Sequence, residues 1–304
     1  MELRHLRYFV AVAEELNITR AAARLHVSQP PLSRQIRDLE CELGVDLIEH
    51  GAKPVRLTEA GKIFFTEAQA VLNRAAEAIK AARVVAKGGG GEIHVGYAPS
   101  LTVELLPKIL RLFQEQAPQV QVRLHDLSSE EMLKGLGNGK LDVALMIRFG
   151  AKSRKGLVFE ELQRYALCAA LPLTHPQAMA KKIEIRQLLR ERLIGYTRQD
   201  YPEYHQMLDQ LFAPYGPTPP IAEEHDGVAS LITSVEAGRG LALAPQSFAC
   251  LAGPRLRIVP LSPAPSKLVV GIAYRAGKLT TVQNRFIEAA KLGVETKPAV
   301  KSRR

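Results

Sequence analysis

Apolar positions in the first 43 residues fall into three short helical registers. Leu6, Phe9, Val10 and Ala13 recur at helical spacing and predict a first helix ending near Leu16. Thr19 is placed to cap a brief second helix over 20–25, whose Ala21-Ala22-Ala23 run permits close approach by another helix. Ser28 then caps a third, with Pro30-Pro31 in its first turn, where missing N–H groups cost little. Leu32, Ile36, Leu39 and Leu43 form one buried stripe along this helix, and Gly44 ends it. Strands over 45–49 and 54–57, around the turn His50-Gly51-Ala52-Lys53, predict a hairpin. Three helices followed by a hairpin make a helix-turn-helix with a wing.

Thr58 caps a long helix running to about Lys87. Its apolar positions Phe65, Ala68, Leu72, Ala75, Ile79, Ala82 and Ala86 are spaced alternately three and four apart, a sustained seam that predicts pairing with a second helix. The competing reading is one amphipathic helix packed on its own domain. Gly88-Gly89-Gly90-Gly91 cannot continue a helix cheaply, at ~1 kcal/mol per glycine relative to alanine, and reads as a hinge. Beyond it, strand-like runs alternate with helical ones: strands at 93–97, 120–124 and 143–147, helices through Leu105-Leu106 to Gln116 and over 130–136. A second set follows, with strands at 165–171, 194–196 and 241–244 and helices at 204–212 and 228–237. A strand at 268–274 and a helix at 282–292 close the chain. This alternation predicts parallel α/β sheets in two lobes with a cleft between them. The expected organisation is a DNA-binding-type helix-turn-helix at 1–58, a linker helix at 59–87, the hinge at 88–91 and an α/β domain at 92–296. Within the last, lobe I takes about 92–162 and 267–293, lobe II about 163–266, and 297–304 is a basic tail.

Composition narrows the class. Of 304 residues, 46% are hydrophobic and 24% charged, an ordinary globular balance that excludes collagen-like, disordered and disulfide-scaffold chains. No apolar run approaches the ~18–20 residues of a membrane span. The opening Met1-Glu2-Leu3-Arg4-His5 lacks a signal-peptide core, and three scattered cysteines (Cys41, Cys168 and Cys250) fit a reducing compartment; a cytoplasmic protein without a membrane partner is expected. The net charge of +10 matters once it is located. Residues 1–87 carry 13 basic and 11 acidic side chains, yet 18–37 holds Arg20, Arg24, Arg34 and Arg37 with no acid at all. Such segregation is what a nucleic-acid face requires.

With Leu32, Ile36 and Leu39 inward, the third helix presents Gln29, Pro30, Pro31, Ser33, Arg34 and Arg37 outward. Gln and Arg make bidentate contacts with adenine and guanine edges, while serine hydroxyls and the helix start suit phosphates. Lys53 and Arg56 on the hairpin are placed for the neighbouring groove or backbone. The bland alternative is a merely solvated helix face. Enzyme chemistry finds no support. Gly135-Leu136-Gly137-Asn138-Gly139-Lys140-Leu141 lacks the glycine spacing and the hydroxyl of a phosphate loop. There is no His-Glu-x-x-His or Gly-x-Ser-x-Gly, the histidines form no metal pattern, and Cys168 and Cys250 form no local redox pair. No catalytic residue, metal or cofactor is expected.

The stretches Leu3-Arg4-His5-Leu6-Arg7-Tyr8-Phe9, Ile18-Thr19-Arg20-Ala21-Ala22-Ala23-Arg24-Leu25, Ser28-Gln29-Pro30-Pro31-Leu32-Ser33-Arg34-Gln35-Ile36 and Leu57-Thr58-Glu59-Ala60-Gly61 resemble the LysR-type transcriptional regulators. Within that family the chain is most similar to activators of aromatic catabolism, of the catechol and benzoate type. The resemblance implies a winged helix-turn-helix, a dimerising linker helix and a two-lobed effector domain of periplasmic-binding-protein type. It also implies a dimer and a tetramer built from it, an AT-rich interrupted palindrome in promoter DNA, and RNA polymerase as partner if the protein activates. Two positions depart from the family pattern: His50 follows Leu47-Ile48-Glu49 where arginine is usual, and Lys53 also replaces arginine, which keeps charge but loses the planar fork. By the same resemblance a small organic acid binds between the lobes at Ser100 and at Ser128-Ser129. There, hydroxyls and free N–H groups at helix starts suit a carboxylate, unless these serines are only caps. Tyr201, Pro202 and Tyr204 are placed to wall an aromatic ligand, and Arg148 and Arg198 to lend charge. The rival from another class is a two-lobed solute-binding protein or enzyme that does not regulate DNA.

Overall fold

The computed structural model describes residues 1–49, 51, 54–86, 91–150 and 156–295, and the chain divides into two units, Met1–Ala86 and Lys87–Arg304. In the first, α1 (Leu3–Glu15), α2 (Ile18–Arg24) and α3 (Gln29–Leu43) close on one core that buries Phe9, Val12, Ala21, Leu32, Ile36 and Leu39. The apolar stripes are core faces, as their spacing predicts. Asn17, not Thr19, caps α2: its side chain accepts from the Arg20 amide at 3.0 Å, which leaves Thr19 inside the first turn. Ser28 occupies the cap position of α3 but makes no side-chain cap bond. Gly44 ends α3 at φ 69°, a left-handed conformation that glycine adopts without strain.

The hairpin forms with less regular strand than expected. Among the described residues neither 45–49 nor 54–57 forms a strand; one antiparallel bridge joins Ile48 to Leu57, beside a Glu49 N–H donating to the Arg56 carbonyl at 2.9 Å. The cause lies in α3. Glu40 is buried, and its carboxylate accepts from the Leu47 and Ile48 amides at 2.7 and 3.0 Å. His50, Ala52 and Lys53 lie outside the described residues, as does the hinge over 88–90 and the basic tail.

α4 (Glu59–Ala86) starts where Thr58 predicts, with the Thr58 hydroxyl accepting from the Gly61 N–H at 2.9 Å. Glycine is needed at 61 because a Cβ there would stand 1.9 Å from the Leu47 carbonyl oxygen. The seam along α4 is divided in two. Ala68 is buried, and Phe64, Phe65 and Leu72 pack on the same core, with the Phe9 and Phe64 rings 5.3 Å apart. That half belongs to its own unit. Further along, Ile79 is 50% exposed, and for Ala82 and Ala86 the backbone alone is described.

The second unit begins with β1 (Glu92–Tyr97), α5 (Pro99–Thr102), α6 (Leu106–Gln116), β2 (Gln121–Asp126), α7 (Ser129–Gly137), β3 (Val143–Ile147) and β4 (Leu157–Tyr165). β5 (Leu167–Pro172), β6 (Ile183–Glu184), α8 (Ile185–Leu188), β7 (Leu193–Tyr196), α9 (Pro202–Phe212) and β8 (Ile221–His225) follow. The rest is α10 (Val228–Glu236), β9 (Ala242–Pro245), α11 (Phe248–Ala252), β10 (Leu256–Ser262), β11 (Leu268–Arg275) and α12 (Thr281–Glu295). Lobe I is a five-stranded sheet in the order β2-β1-β3-β11-β4. β1 runs parallel to β2 and β3, whereas β11 is antiparallel to β3 and β4, so the sheet is mixed rather than parallel throughout. Its core includes Ile93, Val95, Ile109 and an edge-on pair, Phe113 and Phe286, with rings 5.1 Å apart. Lobe II holds the sheet β6-β10-β5-β9 and the parallel pair β7-β8, around a second core that includes Ile194, Leu208, Phe212 and Phe248. The chain crosses between lobes twice, at Ala166 and over 263–267. No helix among the described residues is long and apolar enough to cross a membrane.

Candidate nucleic-acid interface and interlobe site

The Pro30-Pro31 pair falls in the first turn of α3, and the buried stripe turns the opposite face outward. Gln29, Pro30, Pro31, Arg34 and Arg37 are exposed and Ser33 is half-buried; Arg56 on the hairpin is exposed, and Lys53 lies outside the described residues. The four arginines of the acid-free segment do not act alike. Arg24 pairs with Glu14 at 2.6 Å and Glu15 at 3.2 Å, and Glu14 above all holds its pKa up. Arg20 donates to the Glu15 carbonyl at 2.5 Å. The acids that sequence places outside the segment thus fold back onto half of its charge. Among the described residues, Arg34 and Arg37 make no salt bridge, and they share the exposed face of α3 with Gln29. This face combines a helix start with no acid in its first turn, an amide side chain and two guanidinium groups open to solvent. It can accept phosphates and read base edges.

The serines expected at the effector site come to the junction of the lobes, each already engaged. Ser100 lies in the single turn of α5, buried, and its carbonyl accepts from the Ser247 hydroxyl at 2.8 Å. Ser128 is the N-cap of α7: its oxygen accepts from the Glu131 amide at 3.3 Å, and Glu131 accepts from the Ser128 amide at 2.9 Å. Ser128 therefore serves its own helix. Ser129 donates its hydroxyl to the carboxylate of Glu203, from the first turn of α9 in the other lobe. Beside it the Glu130 N–H donates to the Asp200 carbonyl at 3.2 Å. A carboxylate does sit at the start of α7, and it is the chain's own.

Aromatic rings wall this junction more deeply than Tyr201, Pro202 and Tyr204 alone suggest. Pro202 opens α9, and Tyr201 donates its hydroxyl to the Asp226 carbonyl at 2.9 Å. The Tyr201 and Tyr204 rings lie 4.5 and 5.2 Å from that of Tyr196, whose own carbonyl meets the buried His205 ring at 2.7 Å. Burial pushes the Tyr196 phenol up to about 12 and raises those of Tyr201 and Tyr204 as well. Asp126, ending β2, is raised by burial and then by Glu131, and Tyr97, paired with it in register, by burial and then by Asp126. The result is a largely buried, aromatic junction carrying hydroxyls and carboxylates. Arg148 lends it no charge, since it is exposed, pairs with Glu161 at 3.1 Å and stacks over Phe159; Arg198 is exposed. Sequence reading missed Tyr196 and Glu203. Tyr196 ends an apolar strand and looks like core, and Glu203 meets Ser129 only through a contact 74 residues long. The cysteines are free, and burial raises the thiols of Cys168 and Cys250. Among the described residues no three metal-binding side chains converge.

Comparison with known proteins fits both halves. Residues 3–62 match the family "Bacterial regulatory helix-turn-helix protein, lysR family" and residues 86–293 match "LysR substrate binding domain". The chain is 31% identical to the HTH-type transcriptional regulator BenM of Acinetobacter baylyi, over 90% of each protein. It is 43% identical to the Hca operon transcriptional activator HcaR of Escherichia coli over 62% of each. Among solved structures, full-length CbnR complexed with its target DNA aligns with 96% of this chain and 100% of that one, at 29% identity and a TM-score of 0.62.

Proposed function

Since the chain belongs to the LysR family of DNA-binding transcriptional regulators and not to a family of enzymes, we propose that it is a cytoplasmic activator controlled by a small organic acid. The observation that carries the DNA half is the exposed Arg34 and Arg37, which make no salt bridge among the described residues, beside Gln29 on α3 and opposite a fully buried stripe. Gln29, Arg34 and Arg37 read base edges; Pro30, Pro31 and Ser33 set the approach to phosphates, and Lys53 and Arg56 contact the backbone from the wing. Two half-sites related by a twofold axis call for a symmetric dimer, with a tetramer formed from two of them. The exposed Ile79 on the outer part of α4 supports pairing there. RNA polymerase is the partner of the bound activator, and HcaR, named as an activator, supports that sign of regulation.

The effector half rests on the interlobe junction of Ser100, Ser128, Ser129, Tyr201 and Pro202. An aromatic acid fits its tyrosine walls, and its carboxylate takes the Ser129 hydroxyl in place of Glu203. Displacing Glu203 also frees α9 from α7, so the ligand favours a different arrangement of the lobes. The test is a mobility shift on the protein's own promoter, with and without benzoate and a panel of related aromatic acids. Retarded DNA whose mobility or footprint changes with one acid supports the whole reading. DNA binding that no acid alters leaves a regulator without this effector, and no DNA binding removes the regulator. Ile79→Glu should abolish the dimer in sedimentation while leaving the fold intact, because Ile79 lies beyond the packed half of α4.

A further inference from the structure

Both crossings between the lobes border one cleft on lobe II, away from the serines and tyrosines of the junction. Leu167, the first residue after the outgoing crossing, forms its floor with Ile185 and Leu211, all three buried. The returning crossing supplies one wall through Pro263, Ala264, Pro265 and Ser266, and α9 supplies the other through Met207 and Gln210. Tyr215 closes the end, its ring held under the Arg186 guanidinium, 5.7 Å from the centroid.

The cavity measures about 190 Å³. An apolar cavity of roughly 150 Å³ already takes benzene, so one six-membered ring with a small substituent fits. No charged side chain lines it. The Arg186 guanidinium beyond Tyr215 is exposed and stacks on that ring instead of lining the cleft, so an entering ion would lose hydration without a direct ion pair, and the preferred ligand is neutral. The polar side chains of the lining are Gln210, Tyr215 and Ser266, with Gln210 and Ser266 exposed at the rim, where a ring's hydroxyl or amide substituent would find partners. We propose that this cleft is a second ligand site, selective for a single uncharged planar ring, and that the ring biases the lobes by bracing both crossings at once. The site is independent of the interlobe junction: it shares no residue with it, and it needs no carboxylate.

Phenol, neutral at pH 7, and benzoate, its charged counterpart in size, are the probes. Titration of the full-length protein, followed by saturation-transfer NMR, should give saturable phenol binding and at least tenfold weaker benzoate binding at this site. Ala264→Trp and Ser266→Phe add bulk from exposed rim positions; each should weaken phenol at least tenfold with an unchanged melting temperature. Ser129→Ala should leave phenol binding as it is. No saturable binding, or wild-type binding in both rim variants, would overturn the site; loss of phenol in Ser129→Ala would move the ring to the junction and equally overturn it. Hydrogen exchange tests the bracing: phenol should slow exchange over 165–167 and 262–268 in the wild type and not in Ala264→Trp. Binding without that protection would keep the site and remove its influence on the lobes.

Discussion

Two helices of this protein start alike in sequence and differ in every consequence. α3 opens with Ser28-Gln29-Pro30-Pro31 and α7 with Ser128-Ser129-Glu130-Glu131. Ser28 makes no cap bond, no acid stands in the first turn of α3, and two prolines remove N–H donors that would otherwise seek partners inside the chain. Ser128 closes a reciprocal cap with Glu131, and Asp200 and Glu203 reach across from lobe II to the next two residues. A helix start carries partial positive charge in either case. What differs is whether the chain supplies its own anion. Where it does, the helix becomes part of a joint between lobes; where it does not, the helix remains available to a foreign phosphate.

The contrast can be broken from the open side first. Arg34→Ala should cost ~1–3 kcal/mol of specific DNA binding and relax preference at one base position per half-site. Arg24→Ala, already tied to Glu14 and Glu15, should cost less and do so equally on all sequences. Mobility shifts on matched and scrambled operators separate the two, and equal, sequence-independent losses would place Arg34 among phosphate contacts. On the closed side, Glu203→Ala should free the Ser129 hydroxyl and tighten benzoate binding about tenfold, ~1.4 kcal/mol. Glu203→Gln, which keeps an acceptor, should gain less. Calorimetry that finds weaker binding in Glu203→Ala would make Glu203 a ligand contact instead of a competitor. The smallest effects compare the caps themselves. Ser128→Ala should lower stability by ~1 kcal/mol in thermal unfolding, whereas Ser28→Ala, which loses no cap bond, should lower it by only a few tenths.

Local pattern reached a long way along this chain. The stripes at Leu32, Ile36 and Leu39 and at Phe9 are visible at helical spacing because burial there depends on near neighbours. β4 was invisible for a related reason: its Glu160, Glu161, Gln163 and Arg164 mark an edge strand with one face in water, and only Leu162 and Tyr165 are fully buried. β8, with Glu223 and Glu224, hides in the same way. The strands of the wing are shorter than their pattern predicts because Glu40 on α3 takes the Leu47 amide, which a longer ladder would have paired with Thr58. The interlobe site was half legible. Its serines stand at helix starts and can be found from capping rules, but the carboxylate that meets Ser129 comes from the far lobe, and no spacing rule links positions 74 apart.

The Glu40 contact bears on how such a reader of DNA is rebuilt. One carboxylate on the inner side of α3 fixes the backbone that leads into the wing, and the Leu47 carbonyl on that same segment lies where any Cβ at position 61 would stand. Recognition helix, wing and the root of α4 are therefore keyed to one another through two main-chain residues. A recognition helix grafted from a relative will keep its wing in place only if it brings a glutamate at the position of Glu40. Its outward residues, by contrast, make no hydrogen bond or salt bridge with the wing among the described residues, so they can be exchanged one at a time without disturbing the frame beneath them.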